Sequence, residues 1–144
     1  MIFTETPLYP IFTVTDIVNI SYYKLNAGYA FLGERHAFWE FLYVDRGSLL
    51  VTADEDRFHL NAGEIVFHCP EEFHAFRSDG DSDVIVVSLL CKGPMERFVR
   101  KVTTVNQQSR QCLGALVSEA ALAYQYFEND PACINLRKKD TAPF

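Results

Sequence analysis

The run Ala37-Phe38-Trp39-Glu40-Phe41-Leu42-Tyr43-Val44-Asp45-Arg46-Gly47 decides the fold class. Its aromatic and β-branched residues suit a pleated, half-buried surface, and Arg46-Gly47 stops it as a turn. Upstream, residues 17–25 have the same make-up and stop at Asn26-Ala27-Gly28. Downstream, residues 48–53 and 57–60 flank the acidic turn Asp54-Glu55-Asp56 as a hairpin. Residues 64–69 end at Pro70, residues 73–78 run into Asp79-Gly80-Asp81, and residues 83–91 form a strongly apolar strand. Many short strands at this spacing predict a barrel or a sandwich.

Beyond residue 93 the period changes. Pro94 suits the first turn of a helix, and Met95, Phe98, Val99 and Val102 share one face. After a polar break at Asn106-Gln107-Gln108, a longer helix is predicted over residues 109–127. Its apolar stripe is Leu113, Leu116, Val117, Ala120, Tyr124 and Phe127, at helical spacing. Asn129-Asp130-Pro131 ends it.

Charge and composition exclude several functions. A net charge of −6 argues against nonspecific nucleic-acid binding, which needs a basic surface. The short clusters Arg97, Arg100, Lys101 and Arg137-Lys138-Lys139 read as a solvated helix face and a polar tail. No apolar run reaches the roughly 20 residues that span a bilayer, and no signal peptide is evident. Cys69, Cys91, Cys112 and Cys133 have neither zinc nor redox spacing, so they read as reduced thiols in a cytoplasmic protein. Asp79, Asp81 and Asp83 lack the rest of a calcium loop and read as a solvated turn.

Two segments carry the residues with chemistry. The first is Gly33-Glu34-Arg35-His36-Ala37-Phe38-Trp39-Glu40, with Gly47 after six more residues. The second runs Gly63-Glu64-Ile65-Val66-Phe67-His68-Cys69-Pro70-Glu71-Glu72-Phe73-His74. On a strand, residues of equal parity share a face, so Glu34, His36, Phe38 and Glu40 point together, and His74 pairs with Phe76. Polar groups meeting inside an apolar enclosure are the usual make-up of a small-molecule site. His59 and His68 have no convergent partner in the pattern and read as structural.

These segments resemble the paired motifs of the cupin superfamily: Gly, His-x-His, Glu and Gly, then Gly, Pro and His. Residues 38–47, then 62–67 with Pro70 and His74, look most like the cupin-like sensor domains of AraC-type transcription regulators. The resemblance implies a mainly β, cupin-like antiparallel β-barrel (a double-stranded β-helix or jelly roll) over residues 1–92, followed by C-terminal helices. Residues 93–144 would be a helical dimerisation segment, cut short before a DNA-binding domain. It further implies a small polar effector, such as a sugar, held by His36, Phe38, Glu40, His74, Phe76, Val86 and Ser88. A homodimer would form through Leu113, Leu116, Val117, Ala120 and Tyr124, with DNA contacted only by the absent domain. Glu34 stands where metal-binding cupins carry the first His of His-x-His. The expectation is therefore no metal, no cofactor, no membrane partner and no catalysis. The alternative is a metal-dependent cupin enzyme using His36, Glu40 and His74.

Overall fold

A computed structural model describes residues 3–125 and 136–142. The strands are β1 (Thr13–Leu25), β2 (Ala30–Glu34), β3 (Trp39–Arg46), β4 (Ser48–Ala53), β5 (Asp56–Asn61), β6 (Glu64–His68), β7 (His74–Ser78) and β8 (Ser82–Lys92). After a 3-10 turn at Met95–Phe98 come β9 (Thr103–Thr104), helix α1 (Gln107–Ala123), β10 (Tyr124–Gln125) and β11 (Arg137–Lys138).

The expected barrel is corrected: the strands divide into separate antiparallel sheets, and none closes on itself. One sheet has the order β1-β8-β3-β6-β9, a second β2-β7-β4-β5, and β10-β11 is a two-stranded ribbon. The two larger sheets face each other across a core that takes Leu25, Leu42, Val44, Val66 and Val84 from the first and Leu49, Val51, Leu60 and Phe76 from the second. Sequence spacing counts strands, but it does not report whether edge strands hydrogen-bond to one another, and closure depends on that.

The helical segment also differs. The turn after Pro94 stays 3-10 and gives way to β9, which pairs with β6, so among the described residues one α-helix follows the sheets where two were expected. Helix α1 starts earlier than predicted because Asn106 caps it, its side chain accepting from the Ser109 N–H at 2.8 Å. The polar break was a cap. The helix ends at Ala123, and Tyr124 is extended. Phe127, the Asn129-Asp130-Pro131 stop and Cys133 lie outside the described residues.

The stripe predicted for dimerisation faces this chain's own sheet. Ala120 is buried with Ile20, Phe41, Tyr43, Ile85 and Val87, and Leu113, Leu116, Val117 and Tyr124 pack half-buried against them. No helix among the described residues is long and apolar enough to cross a membrane. Asp79, Asp81 and Asp83 serve separate partners: the Ser48 hydroxyl and His59, the Ala27 amide, and Arg46.

A candidate metal centre between the sheets

The site is built where the two sheets meet. Cross-strand register places Glu40 of β3 beside Ser88 of β8 and His68 of β6, and Ser88 beside Asn19 of β1. All four are buried, so a polar row crosses the inner face of the first sheet. From the second sheet, Glu34 of β2 lies opposite His74 of β7. A register shift between Phe31 and Glu34 sets that pairing, and Gly33 has φ +105° there. His36 sits in the loop between β2 and β3, not on a strand as its parity suggested.

Four ligand-type atoms, one each from Glu34, His36, Glu40 and His74, lie within 4.8 Å of one another. His74 Nε2 is 3.4 Å from one Glu40 carboxylate oxygen, and His36 Nε2 is 3.6 Å from the other. Both imidazole nitrogens are 3.8 Å from Glu34. His36 Nδ1 donates to the Phe38 carbonyl at 3.0 Å and His74 Nδ1 to the Glu72 carbonyl at 3.1 Å. A carbonyl can only accept, so each ring carries its proton on Nδ1 and, when neutral, turns a bare Nε2 toward the carboxylates. Both Nε2 atoms are buried without a hydrogen-bond partner. Acceptors facing acceptors need a shared cation, either a proton or a metal.

The spacing fits a metal. Ligand atoms bound at about 2.1 Å on adjacent corners of a coordination sphere sit roughly 3.0–3.4 Å apart, and the shortest contacts here approach that. Imidazole with carboxylate suits Mn, Fe, Ni or Zn. The Nδ1–carbonyl bonds are the outer contacts that orient metal-binding histidines.

Electrostatics set the metal-free state. Burial raises the Glu40 pKa, but His36, His74 and Ser88 outweigh it and hold the carboxyl at about 2; the Ser88 hydroxyl donates at 2.6 Å. Burial opposes a charge on His74, yet Glu40 and Glu34 raise its pKa above the ordinary 6.5. Glu34 is raised, first by burial and then by Glu40. The sign follows for His74. A raised folded pKa contributes stability in full below 6.5 and loses it as pH climbs through the folded value. Without metal, the melting-temperature advantage of wild type over His74→Gln is therefore expected to shrink as pH rises above 6.5. A pH series of thermal melts in chelator checks this, and an advantage that grows with pH would contradict it.

The structure brings His36, Glu40, His74 and Ser88 together, and Phe38 stacks on His36 at 3.7 Å. Phe76 and Val86 lie in the apolar core, two residues along from His74 and Ser88. Sequence reasoning missed His68 and Glu72. His68 is buried, donates through Nδ1 to Glu72 at 2.6 Å and stacks on His74 at 4.6 Å. The spacing His68-x-x-x-Glu72 was visible, but Pro70 hid its meaning, since only a tight loop brings the two together.

Two facing sheets enclose a buried His-Glu cluster of a kind that could coordinate a metal. Residues 21–90 match the model of the cupin domain family. The fold is similar to a cupin superfamily protein from Desulfitobacterium hafniense, at 16% identity and a TM-score of 0.50, covering 60% of this chain and 84% of that one. It is also similar to unsaturated-fatty-acid-bound ToxT from Vibrio cholerae, at 12% identity and a TM-score of 0.51, covering 74% of this chain and 47% of that one. No curated protein matches the sequence. The expectation of a domain without catalytic potential is corrected by the cluster: Glu34 does not end the ligand set but joins it.

Proposed function

We propose that Glu34, His36, Glu40 and His74 hold a divalent transition-metal ion, and that the chain is a small metal-dependent cupin enzyme acting on a small polar molecule. One observation carries this reading: two buried Nε2 atoms, each with its Nδ1 proton already committed, converge on two carboxylates. Bound there, an ion of this kind supplies Lewis-acid polarisation of a substrate oxygen. Glu40, fixed by Ser88, is the buried anion of the set, and half-buried Glu34 is the member a substrate meets first. Phe38 covers one face of His36 and keeps water from it.

The test is metal content. Protein purified without chelator is expected to carry about one equivalent of Mn, Fe, Ni or Zn per chain, measured by elemental mass spectrometry. Adding the preferred ion to metal-free protein should raise the melting temperature with concentration. Protein that stays free of metal and is indifferent to all four ions would overturn the reading.

A second reading is an effector-sensing domain of an AraC-family regulator. It is supported by the likeness to ToxT, an AraC-family protein, over more of the chain than the D. hafniense protein covers. In that reading residues 1–92 take a small polar effector among His36, Phe38, Glu40, His74, Phe76, Val86 and Ser88. Residues 93–144 then link and pair subunits through α1, and DNA is contacted by another domain. A metal-independent rise in melting temperature with a small polar ligand favours it.

A further inference from the structure

A charged chain runs from the protein surface to the ring of His74. Arg100 Nε donates to Glu72 Oε2 at 2.6 Å, and the other Glu72 oxygen accepts from His68 at 2.6 Å. The Glu72 side chain is fully buried, and its backbone carbonyl is the acceptor that holds His74 Nδ1. One residue thus fixes His74 twice, through its own carbonyl and through the stacked ring of His68. The neighbouring Glu71 N–H donates to the His36 carbonyl at 2.8 Å, so the 69–73 loop touches both imidazole residues.

Arg100 ties that loop down. Its guanidinium also meets Asp54 and, at 3.3 Å, Asp56 in the β4–β5 turn. Asp54 in turn holds Phe73 by two hydrogen bonds, accepting from its amide at 3.0 Å and donating to its carbonyl at 2.8 Å. The three described non-glycine residues with positive φ are Asp54, Glu71 and Arg100, at 49°, 65° and 55°. All three lie in this one network. Left-handed backbone at ordinary residues persists only where surroundings over-determine it, and it gathers at functional sites.

We infer that Arg100 is a positioning residue for the metal centre, setting the His74 ring through Glu72 and His68. This rests on the metal reading above and concerns residues one and two contacts away from the ligands. Arginine suits the task because its planar fork holds several carboxylates at once, which a lysine ammonium cannot do in fixed geometry. Arg100 is exposed, as the sequence reading had it, but its guanidinium is committed to three carboxylates.

The experiment compares wild type with Arg100→Gln, Arg100→Lys and Arg35→Gln. Arg35 lies in the same polar pocket, meets Asp54 at 3.3 Å and donates to the Glu71 carbonyl at 2.6 Å, whereas the Glu72 carboxylate is held by Arg100 and His68. Two readouts are taken at fixed pH: imidazole nitrogen NMR signals of the metal-free proteins, and Co2+ titration followed by visible absorption. With four histidines in the chain, assignment by single substitution is direct. Arg100→Gln is expected to move the His74 and His68 ring signals, change the Co2+ absorption bands and weaken Co2+ binding roughly 10–100-fold. Arg100→Lys should fall between, and Arg35→Gln, which loses a bond to the Glu71 carbonyl but none to the Glu72 carboxylate, should change all three less than Arg100→Gln does. Folded Arg100→Gln with wild-type ring signals and Co2+ affinity would overturn the inference, and Arg100→Lys is read the same way where Arg100→Gln does not fold. Wild type that ignores Co2+ while Arg100→Gln still moves the His74 ring would sink the metal reading and leave the hold of Arg100 on His74 standing.

Discussion

The double variant His36→Ala, His74→Ala is expected to lose divalent-metal binding altogether while keeping the two-sheet fold. Changes one contact removed from a metal ligand cost roughly 10–100-fold in affinity, and this variant removes two ligands themselves. A loss beyond about 1,000-fold follows on the same scale. A metal present at a thousand times its dissociation constant adds about 4 kcal/mol of stability, so wild type should melt well above the variant when the ion is present. Without metal the two should lie closer, the metal's contribution being gone, and what separates them then is the Nδ1 bond to a carbonyl that each substitution releases. His36→Gln, His74→Gln keeps a side-chain amide at each position and separates ligand loss from packing loss. Calorimetric titration and thermal melts with and without chelator measure both. Retention of one tightly held equivalent by the double variant would place the ion elsewhere and end the proposed function.

Gly33→Ala is expected to damage both stability and site. At φ +105° a side chain is strained whatever the space, and the space is absent. A Cβ there would sit 2.4 Å from the Phe73 ring and 2.9 Å from the His74 carbonyl oxygen. The ring can shift, but the carbonyl belongs to the backbone of β7. Backbone strain of about 1–3 kcal/mol and overpacking of similar size give roughly 2–6 kcal/mol, which lowers the melt by on the order of 10 °C. Because Gly33 adjoins Glu34 and presses on His74, metal affinity should fall in whatever fraction stays folded. A variant that melts and binds metal like wild type would show that the β2–β7 approach is looser than described.

The strands legible in the sequence were those whose apolar residues alternate or run unbroken between clear turns, such as β3, β4 and β8. β2 was not, because Ala30–Glu34 is short, has no fully buried residue and is interrupted by a register shift between Phe31 and Glu34. Glu34, His36, Glu40 and His74 were all named from the sequence, but what brings them together differs from the ground given there. Parity placed Glu34, His36 and Glu40 on one strand, whereas a loop separates the first and last and sheet-to-sheet approach brings them together. The row Asn19, Ser88, Glu40, His68 could not be read from local pattern, since its members are neighbours only through strand register. Arg100 was hidden for the same reason. Its partners at 54, 56 and 72 are remote in sequence, and an arginine beside a lysine reads first as surface.

The pairing of β1 with β8 governs the order in which the protein folds. Thr13 finds its partner at Lys92 and Leu25 at Ser82, so β1 must wait for β8 to leave the ribosome. Hairpins such as β4–β5 close early, while the β1–β8 ladder bears the entropy of a long loop. Until that ladder forms, Ile20, Tyr23 and Leu25 have no covering strand, and the nascent chain presents an apolar segment to chaperones and to other chains. Glu40 lies on β3, directly beside β8, and receives the Ser88 hydroxyl only once β8 is in place. The His-Glu centre is therefore completed near the end of folding, after the whole of residues 13–92 has been made.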